Sequence, residues 1–218
     1  MKSIATVTSI AALCLTAACN NPADKAPPAK VSDQQAQAAA PAADDAKAVT
    51  QVLRIDPANT KLKFTGSKVT GSHDGSFEKF DGTVSLKGDK VESAVIKLAI
   101  EMASVQTEPE KLLGHLKSPD FFDVEKFPKS EFESTRIKSG GANGATHTVE
   151  GKLTLHGVTK TISFPATLQL TDDKLNAKSE FSIKRKDFGI VYPGMPDDLI
   201  RDEVLIKLDV AAPRKTGA

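Results

Sequence analysis

Four histidines, His73, His115, His147 and His156, are the first residues to test for a metal or acid–base centre. Imidazoles that bind metal from a single element are spaced H-x-H or H-E-x-x-H, so that both point to one side. None of the four is so spaced. A His-only site assembled across the fold stays open, and ordinary surface or hydrogen-bonded core histidines are the plainer reading. The only cysteines, Cys14 and Cys19, fall within the first nineteen residues. The rest of the chain therefore has no thiolate nucleophile, no cysteine metal ligand and no internal disulfide. There is no G-x-S-x-G elbow. The run Gly140-Gly141-Ala142-Asn143-Gly144 lies between two predicted strands, which makes it a hairpin loop rather than a phosphate cradle at a helix start. The carboxylate pairs Asp172-Asp173 and Asp197-Asp198 fall in turns or loops, where nothing splits their pKa values into an acid and a base. These residues give no catalytic set and no metal ligand set.

Arg185 is the exception worth following. Residue parity puts it on the same face as Phe181 and Ile183, at the far end of their strand. A guanidinium at the mouth of an apolar interior could hold a phosphate or polar head group through two parallel hydrogen bonds. It could equally pair with an inward carboxylate, Asp187 or Asp202, or be turned outward by a bulge near Lys186.

The elements that position these residues are strands. From Gln51 to Pro213 apolar residues alternate with polar ones at period two, punctuated by Gly75, Asp81-Gly82 and Gly88-Asp89. Leu62 and Phe64 share one face. So do Ala94, Ile96, Leu98 and Ile100; His147, Val149, Gly151, Leu153 and Leu155; Ile162, Phe164, Ala166, Leu168 and Leu170; Leu175, Ala177, Ser179, Phe181 and Ile183; and Val204, Ile206, Leu208 and Val210. About eight strands fit the span. One short helix near 108–117 interrupts them, predicted from the T-x-x-E spacing of Thr107 and Glu110 as a capping box, with Leu112, Leu113 and Leu116 on one face and Pro119 beyond its end. Strands with one apolar face each must close into a barrel or stack as two sheets. The small residues Ala94, Gly151, Ala166, Ala177 and Ser179 either leave a cavity for an apolar ligand or match bulky neighbours opposite.

Composition narrows the partners. With 29 basic and 28 acidic residues, the chain lacks the cationic excess of a nucleic-acid binder. Ten Phe, one Tyr and no Trp leave little for stacking sugars or bases. At the start, Lys2 and the uncharged stretch Ile4 to Leu15 read as a signal peptide, too short for the ~20 residues that span a bilayer. Leu15-Thr16-Ala17-Ala18-Cys19 resembles a bacterial lipobox, with Thr16 where Leu is commonest; the alternative is plain secretion, with cleavage after the Ala pair and a soluble periplasmic or secreted product. The chain thus divides into a signal peptide over 1–18, a lipidated Cys19 opening a disordered Ala/Pro-rich tether over 19–50, a β domain over 51–213 and a short tail over 214–218. Asn20, rather than Asp, after the cysteine resembles the pattern of lipoproteins sent to the outer membrane.

Several blocks together are similar to the YceI-like family of periplasmic polyisoprenoid-binding proteins. They are Leu116-Lys117-Ser118-Pro119-Asp120-Phe121-Phe122-Asp123-Val124-Glu125-Lys126-Phe127-Pro128 with Phe132; Gly151-Lys152-Leu153-Thr154-Leu155-His156-Gly157-Val158-Thr159-Lys160; Phe181-Ser182-Ile183-Lys184-Arg185-Lys186-Asp187-Phe188-Gly189-Ile190; and Asp197-Asp198-Leu199-Ile200 with Glu203, Val204 and Ile206. Ile55-Asp56-Pro57-Ala58-Asn59-Thr60 fits the family's first strand. The resemblance covers 51–212.

The resemblance implies an all-β, lipocalin-like, eight-stranded antiparallel barrel. It implies a non-catalytic binder of an isoprenoid lipid, a polyprenyl phosphate or an isoprenoid quinone, on the periplasmic side of the envelope, with no other cofactor and no nucleic acid. The resemblance fixes the cavity but no residue-by-residue site; on residue alternation, Phe64, Leu98, Leu153, Phe164, Phe181, Ile183 and Ile206 would line it, the 112–116 helix and Phe121-Phe122 would plug one end, and Arg185 would meet the head group. Two rivals are weighed: a partner-binding envelope-stress lipoprotein with a filled barrel, and a lipid isomerase or hydrolase using inward His147.

Overall fold

The computed structural model describes residues 21–33 and 51–214. The signal peptide, Cys19 and the tail beyond Arg214 lie outside the described residues. After β1 (Lys30–Ser32) come β2 (Gln51–Ile55), β3 (Thr60–Lys68), β4 (Gly71–Phe77), β5 (Phe80–Leu86), β6 (Val95–Glu101) and β7 (Val105–Thr107). Helix α1 (Glu110–Lys117) follows, then β8 (Lys129–Ser139), β9 (His147–Leu155), β10 (Val158–Leu170) and β11 (Lys174–Lys184). The chain ends with the short pair β12 (Gly194–Met195) and β13 (Asp198–Leu199), and β14 (Glu203–Pro213).

Three pairs of these strands are halves of longer runs. β2 pairs β5 while β3 pairs β4, and β5 pairs β6 while β4 pairs β7. Counted as runs 51–68, 71–86 and 95–107, they and the five long strands that follow make an eight-stranded antiparallel barrel. β14 closes it on β3, with Ile206 opposite Phe64. The break between β6 and β7 is held by Ser104, whose buried hydroxyl accepts from the Lys79 N–H and donates to the Glu101 carbonyl. Alternation does what parity requires: in β3, Thr60, Leu62 and Phe64 are buried while Lys61 and Lys63 are exposed.

Glycine makes room for the aromatic interior. A Cβ on Gly75 would lie 2.2 Å from the Phe64 ring, which is packed against Phe77 and Phe122 at centroid distances of 5.7 and 6.2 Å. A Cβ on Gly151 would meet the Glu133 carbonyl at 2.5 Å and the Phe132 ring at 2.5 Å. Gly151 therefore matches a bulky neighbour rather than opening space. Gly75→Val is expected to destabilise the fold by about 2 kcal/mol through overpacking. Urea unfolding checks this; an unchanged midpoint would mean that the Phe64 ring can swing clear at no cost.

Two expectations are corrected. Thr107 does not cap α1: it ends β7, opposite Gly75, and its hydroxyl donates to the Asp74 carbonyl. Pro109 stands at the N-cap and supplies no side-chain bond. The tether is not disordered over 21–33. Residues Pro22–Lys25 form a 3-10 turn, capped by the Asn21 side chain, and Ala23 and Ala26 bury themselves on Leu205 of β14. β1 then pairs with β10, Val31 opposite Ile162, and Ala29 and Val31 pack on the main core. Only a void that the rest of the barrel leaves in its own wall can make so short an apolar alternation fold. β10 and β11 pair from Thr167–Lys178 to Leu170–Leu175 and then diverge. Into that gap runs the N-terminal segment, its Ala29 N–H donating to the Ser182 carbonyl and the Ser182 N–H to the Pro27 carbonyl.

Candidate functional site

The barrel interior holds one long apolar cavity of about 260 Å³. It runs from Ile190, Ile200 and Phe121 at one end to Val84, Leu175 and Val210 at the other. The structure places all seven residues expected to line a cavity, Phe64, Leu98, Leu153, Phe164, Phe181, Ile183 and Ile206, around it. Ala94, Ala166, Ala177 and Ser179 line it as well, so these small residues do leave space.

Two aromatic groups shape the cavity. Phe164 stacks on Phe181 at 4.2 Å and 12°, with Phe132 against Phe164 at 5.7 Å. Phe64, Phe77 and Phe122 form the second group, below α1. α1 closes that end because its apolar residues fall on one face: Leu116 is buried and Leu112 and Leu113 pack beside it on Phe121 and Ile190. Outside the plug, His115, Phe121 and Tyr192 meet edge to face or tilted at 4.9 to 5.5 Å, and the His115 Nε2 lies 2.9 Å from Asp120.

The hydroxyl groups of Ser130, Ser179 and Thr60 at the cavity wall are already engaged. The Ser130 hydroxyl donates to the Thr154 carbonyl, and that of Ser179 to the Pro165 carbonyl at 2.6 Å. Thr60 donates to the Asn59 side chain. Hydroxyls paired in this way are satisfied as structural groups. His147 is not among the lining residues. It sits at the end of β9, its Nδ1 2.7 Å from the Thr146 hydroxyl and its Nε2 3.5 Å from Glu92. A hydrogen bond from Ser139 chiefly, and His147 to a smaller degree, hold the Glu92 carboxyl below its ordinary value. This removes His147 as an acid–base group facing a cavity-bound lipid. Among the described residues no three His, Cys, Asp or Glu side chains come together to hold a metal ion.

Arg185 reaches the cavity end but is spent on the backbone. The strand stops at Lys184 and residues Arg185–Phe188 turn as a 3-10 segment. There the guanidinium donates from Nη1 to the Ile190 carbonyl at 2.6 Å, from Nε to Arg201 at 3.0 Å and from Nη2 to Ile200 at 3.2 Å. Burial pulls its pKa below the ordinary value, and the charge of Asp202 opposes that. Asp202 meets this turn through the backbone, its carbonyl accepting the Arg185 N–H and its carboxylate the Lys186 N–H. Parity identified the inward direction of Arg185. The carbonyls it meets come from a loop that no local pattern announces. The residue that sequence reasoning missed is Arg201, which lines the cavity at the same end with no side-chain hydrogen bond or ion pair among the described residues.

Comparison with known proteins agrees with this architecture. A family model, the YceI-like domain, matches residues 53–212. A UPF0312 protein of Pseudomonas putida (strain W619) is 35% identical over 126 residues, covering 55% of this chain and 65% of its own length. A UPF0312 protein of Pseudomonas syringae pv. tomato is 38% identical over the same length and shares. The chain thus spans 65% of the length of these curated relatives. Among solved structures, Burkholderia cenocepacia BcnA superposes with a TM-score of 0.63 at 25% identity, covering 72% of this chain and 99% of that one. A polyisoprenoid binding domain from Saccharophagus degradans gives 0.59 at 17% identity, covering 75% and 98%. At such identity the likeness shows the fold.

Proposed function

The chain belongs to the YceI-like family, and from that premise we propose that it is a non-catalytic carrier that buries an isoprenoid lipid tail inside its barrel. The observation that carries this reading is the cavity itself: long, apolar, and bordered by serine hydroxyls whose hydrogen bonds are taken. Burial of each tail methylene contributes about 0.8 kcal/mol before ordering costs. At about 260 Å³ the cavity lies just below the ~300 Å³ where drug-sized pockets begin, which favours a thin flexible chain over fused rings. A polyprenyl phosphate or an isoprenoid quinone would place its head at the Ile190–Ile200 end. There the Arg201 side chain has no hydrogen-bond partner among the described residues, while three of the five Arg185 N–H donors serve backbone carbonyls, so the head-group role falls chiefly to Arg201.

The same reading places the protein on the periplasmic side of the bacterial envelope, held by acyl chains on Cys19, in the outer membrane. Its support is the lipobox-like Leu15-Thr16-Ala17-Ala18-Cys19 and the Asn20 that follows.

The test is a native mass spectrum of the mature protein, residues 19–218, with lipid analysis of an organic extract. An added mass that extracts as a polyprenyl phosphate or quinone supports the carrier. A clean apo mass, with no uptake of offered isoprenoids, sinks it and turns attention to a filled barrel and a protein partner. A second prediction follows from Ala177, which lines the cavity opposite Leu168 and Val210. Ala177→Phe is expected to displace about one isoprene unit, roughly 3–4 kcal/mol of burial, and to weaken lipid retention at least about a hundredfold. The variant should unfold at or above the wild-type midpoint, since the ring fills a void. A folded variant with full lipid occupancy would refute it.

A further inference from the structure

The barrel end that α1 closes also displays four of the five large exposed hydrophobic residues among the described residues. Val69, Val191, Met195 and Leu199 are 47%, 63%, 61% and 50% exposed. Val52, 47% exposed, is the one other large exposed hydrophobic among the described residues, and it lies on β2. The four at the tip come from two segments tied together. The Val69 N–H donates to the Leu199 carbonyl, Lys68 bridges Ile200 through the backbone, and the Lys68 ammonium pairs with Asp198 at 2.5 Å. That ammonium, chiefly, holds the Asp198 carboxyl below its ordinary range. Arg185 fixes the far side through the carbonyls of Ile190, Ile200 and Arg201.

This framework holds the apolar side chains outward. Ile190 and Ile200 line the cavity while their neighbours Val191 and Leu199 face away from it into solvent. Exposed apolar groups held outward by such a framework mark a contact surface rather than an incomplete core.

The N-terminal segment says what covers it. Ala23 and Ala26 pack on Leu205, which pairs with Thr65. Thr65 is three residues, about 10 Å of strand, from Lys68 at the tip. Asn21 is buried in the same segment, and two residues of chain, at most about 7 Å, separate it from Cys19. An anchor attached there is held at this end of the barrel instead of swinging on a 30-residue tether.

We propose that the tip formed by the β3–β4 turn and residues 190–200 is a membrane-contacting surface, seated on a phospholipid bilayer with the plugged end of the cavity facing the lipid. The proposal rests on the anchored-carrier reading above and adds an orientation to it. The ionic groups around the tip, Lys68, Lys184, Lys186 and Arg201 against Asp187, Asp197, Asp198, Asp202 and Glu203, nearly cancel. The contact is therefore apolar and needs no anionic lipid.

The experiment couples the unacylated mature protein through Cys19 to a maleimide phospholipid in phosphatidylcholine vesicles, and reads amide hydrogen exchange with and without the vesicle. Exchange over 69–70 and 190–200 is expected to slow at least threefold, with little dependence on salt, while β6 and β8 on the outer wall stay unchanged. The triple variant Val191→Ser, Met195→Ser, Leu199→Ser should couple equally well and lose the slowing. No slowing at the tip, or the same slowing in the triple variant, overturns the proposal. Acylation of Cys19 in cells is read separately by palmitate labelling, and cargo by lipid extraction. Failure of the anchor or of the carrier is thus distinguishable from failure of the tip.

Discussion

Arg185→Met is expected to destabilise the barrel by roughly 3 kcal/mol, with the damage centred on residues 190–201. Arg185 is 4% exposed, and its guanidinium serves three backbone carbonyls. Methionine keeps most of the volume and removes every donor. Each orphaned buried carbonyl costs on the order of 1 kcal/mol, and relief of the buried charge offsets part of the sum. Lysine is not expected to rescue, because one ammonium cannot present the planar fork that reaches Ile190, Ile200 and Arg201 together. Urea unfolding gives the stability change, and limited proteolysis shows whether cleavage moves into 190–201. A loss below about 1 kcal/mol, with lipid binding abolished, would return Arg185 to the head-group role.

That contrast shows what the sequence could and could not reveal. Period-two alternation needs only the pleat, so the inward residues of β3, β6, β10, β11 and β14 were legible one by one, and Phe64, Leu98, Phe164 and Ile206 face one cavity. The inward direction of Arg185 was legible for the same reason. Its partners were not, because the strand gives way to a 3-10 turn at Arg185 and the carbonyls arrive from a loop five to sixteen positions on. Thr107 failed differently. T-x-x-E is a local signal, but the Asp74 carbonyl, on the neighbouring strand, claimed the hydroxyl first. The broken runs at 78–79 and 102–104 depend on one buried serine, Ser104, bridging two strands, and a single serine carries no pattern.

The least legible element has the largest consequence. Ala29-Lys30-Val31-Ser32 alternates for only two apolar positions within an Ala/Pro-rich stretch, too little to distinguish from a linker. What orders it is the gap between β10 and β11, which exists only once the other strands are in place. A chain beginning at residue 51 is therefore expected to be less stable than the mature chain by about 3 kcal/mol or more. Leu205, 1% exposed beneath Ala23 and Ala26, would return to water, which alone costs about 2 kcal/mol. The Ser182 N–H and carbonyl would lose Pro27 and Ala29, and the strand edge at Thr161–Ser163 would lose β1. The truncated wall would also open toward Ile162, Phe164 and Phe181, so bound lipid should escape faster from it than from the mature protein. Urea unfolding of the two chains, followed by lipid release to acceptor vesicles, measures both effects. Matching midpoints and matching release rates would mean that the segment merely rests on a wall that closes without it. A lower midpoint with faster release would make residues 21–33 part of the barrel, and would make the peptide that follows Cys19 a piece of the wall beside the cavity.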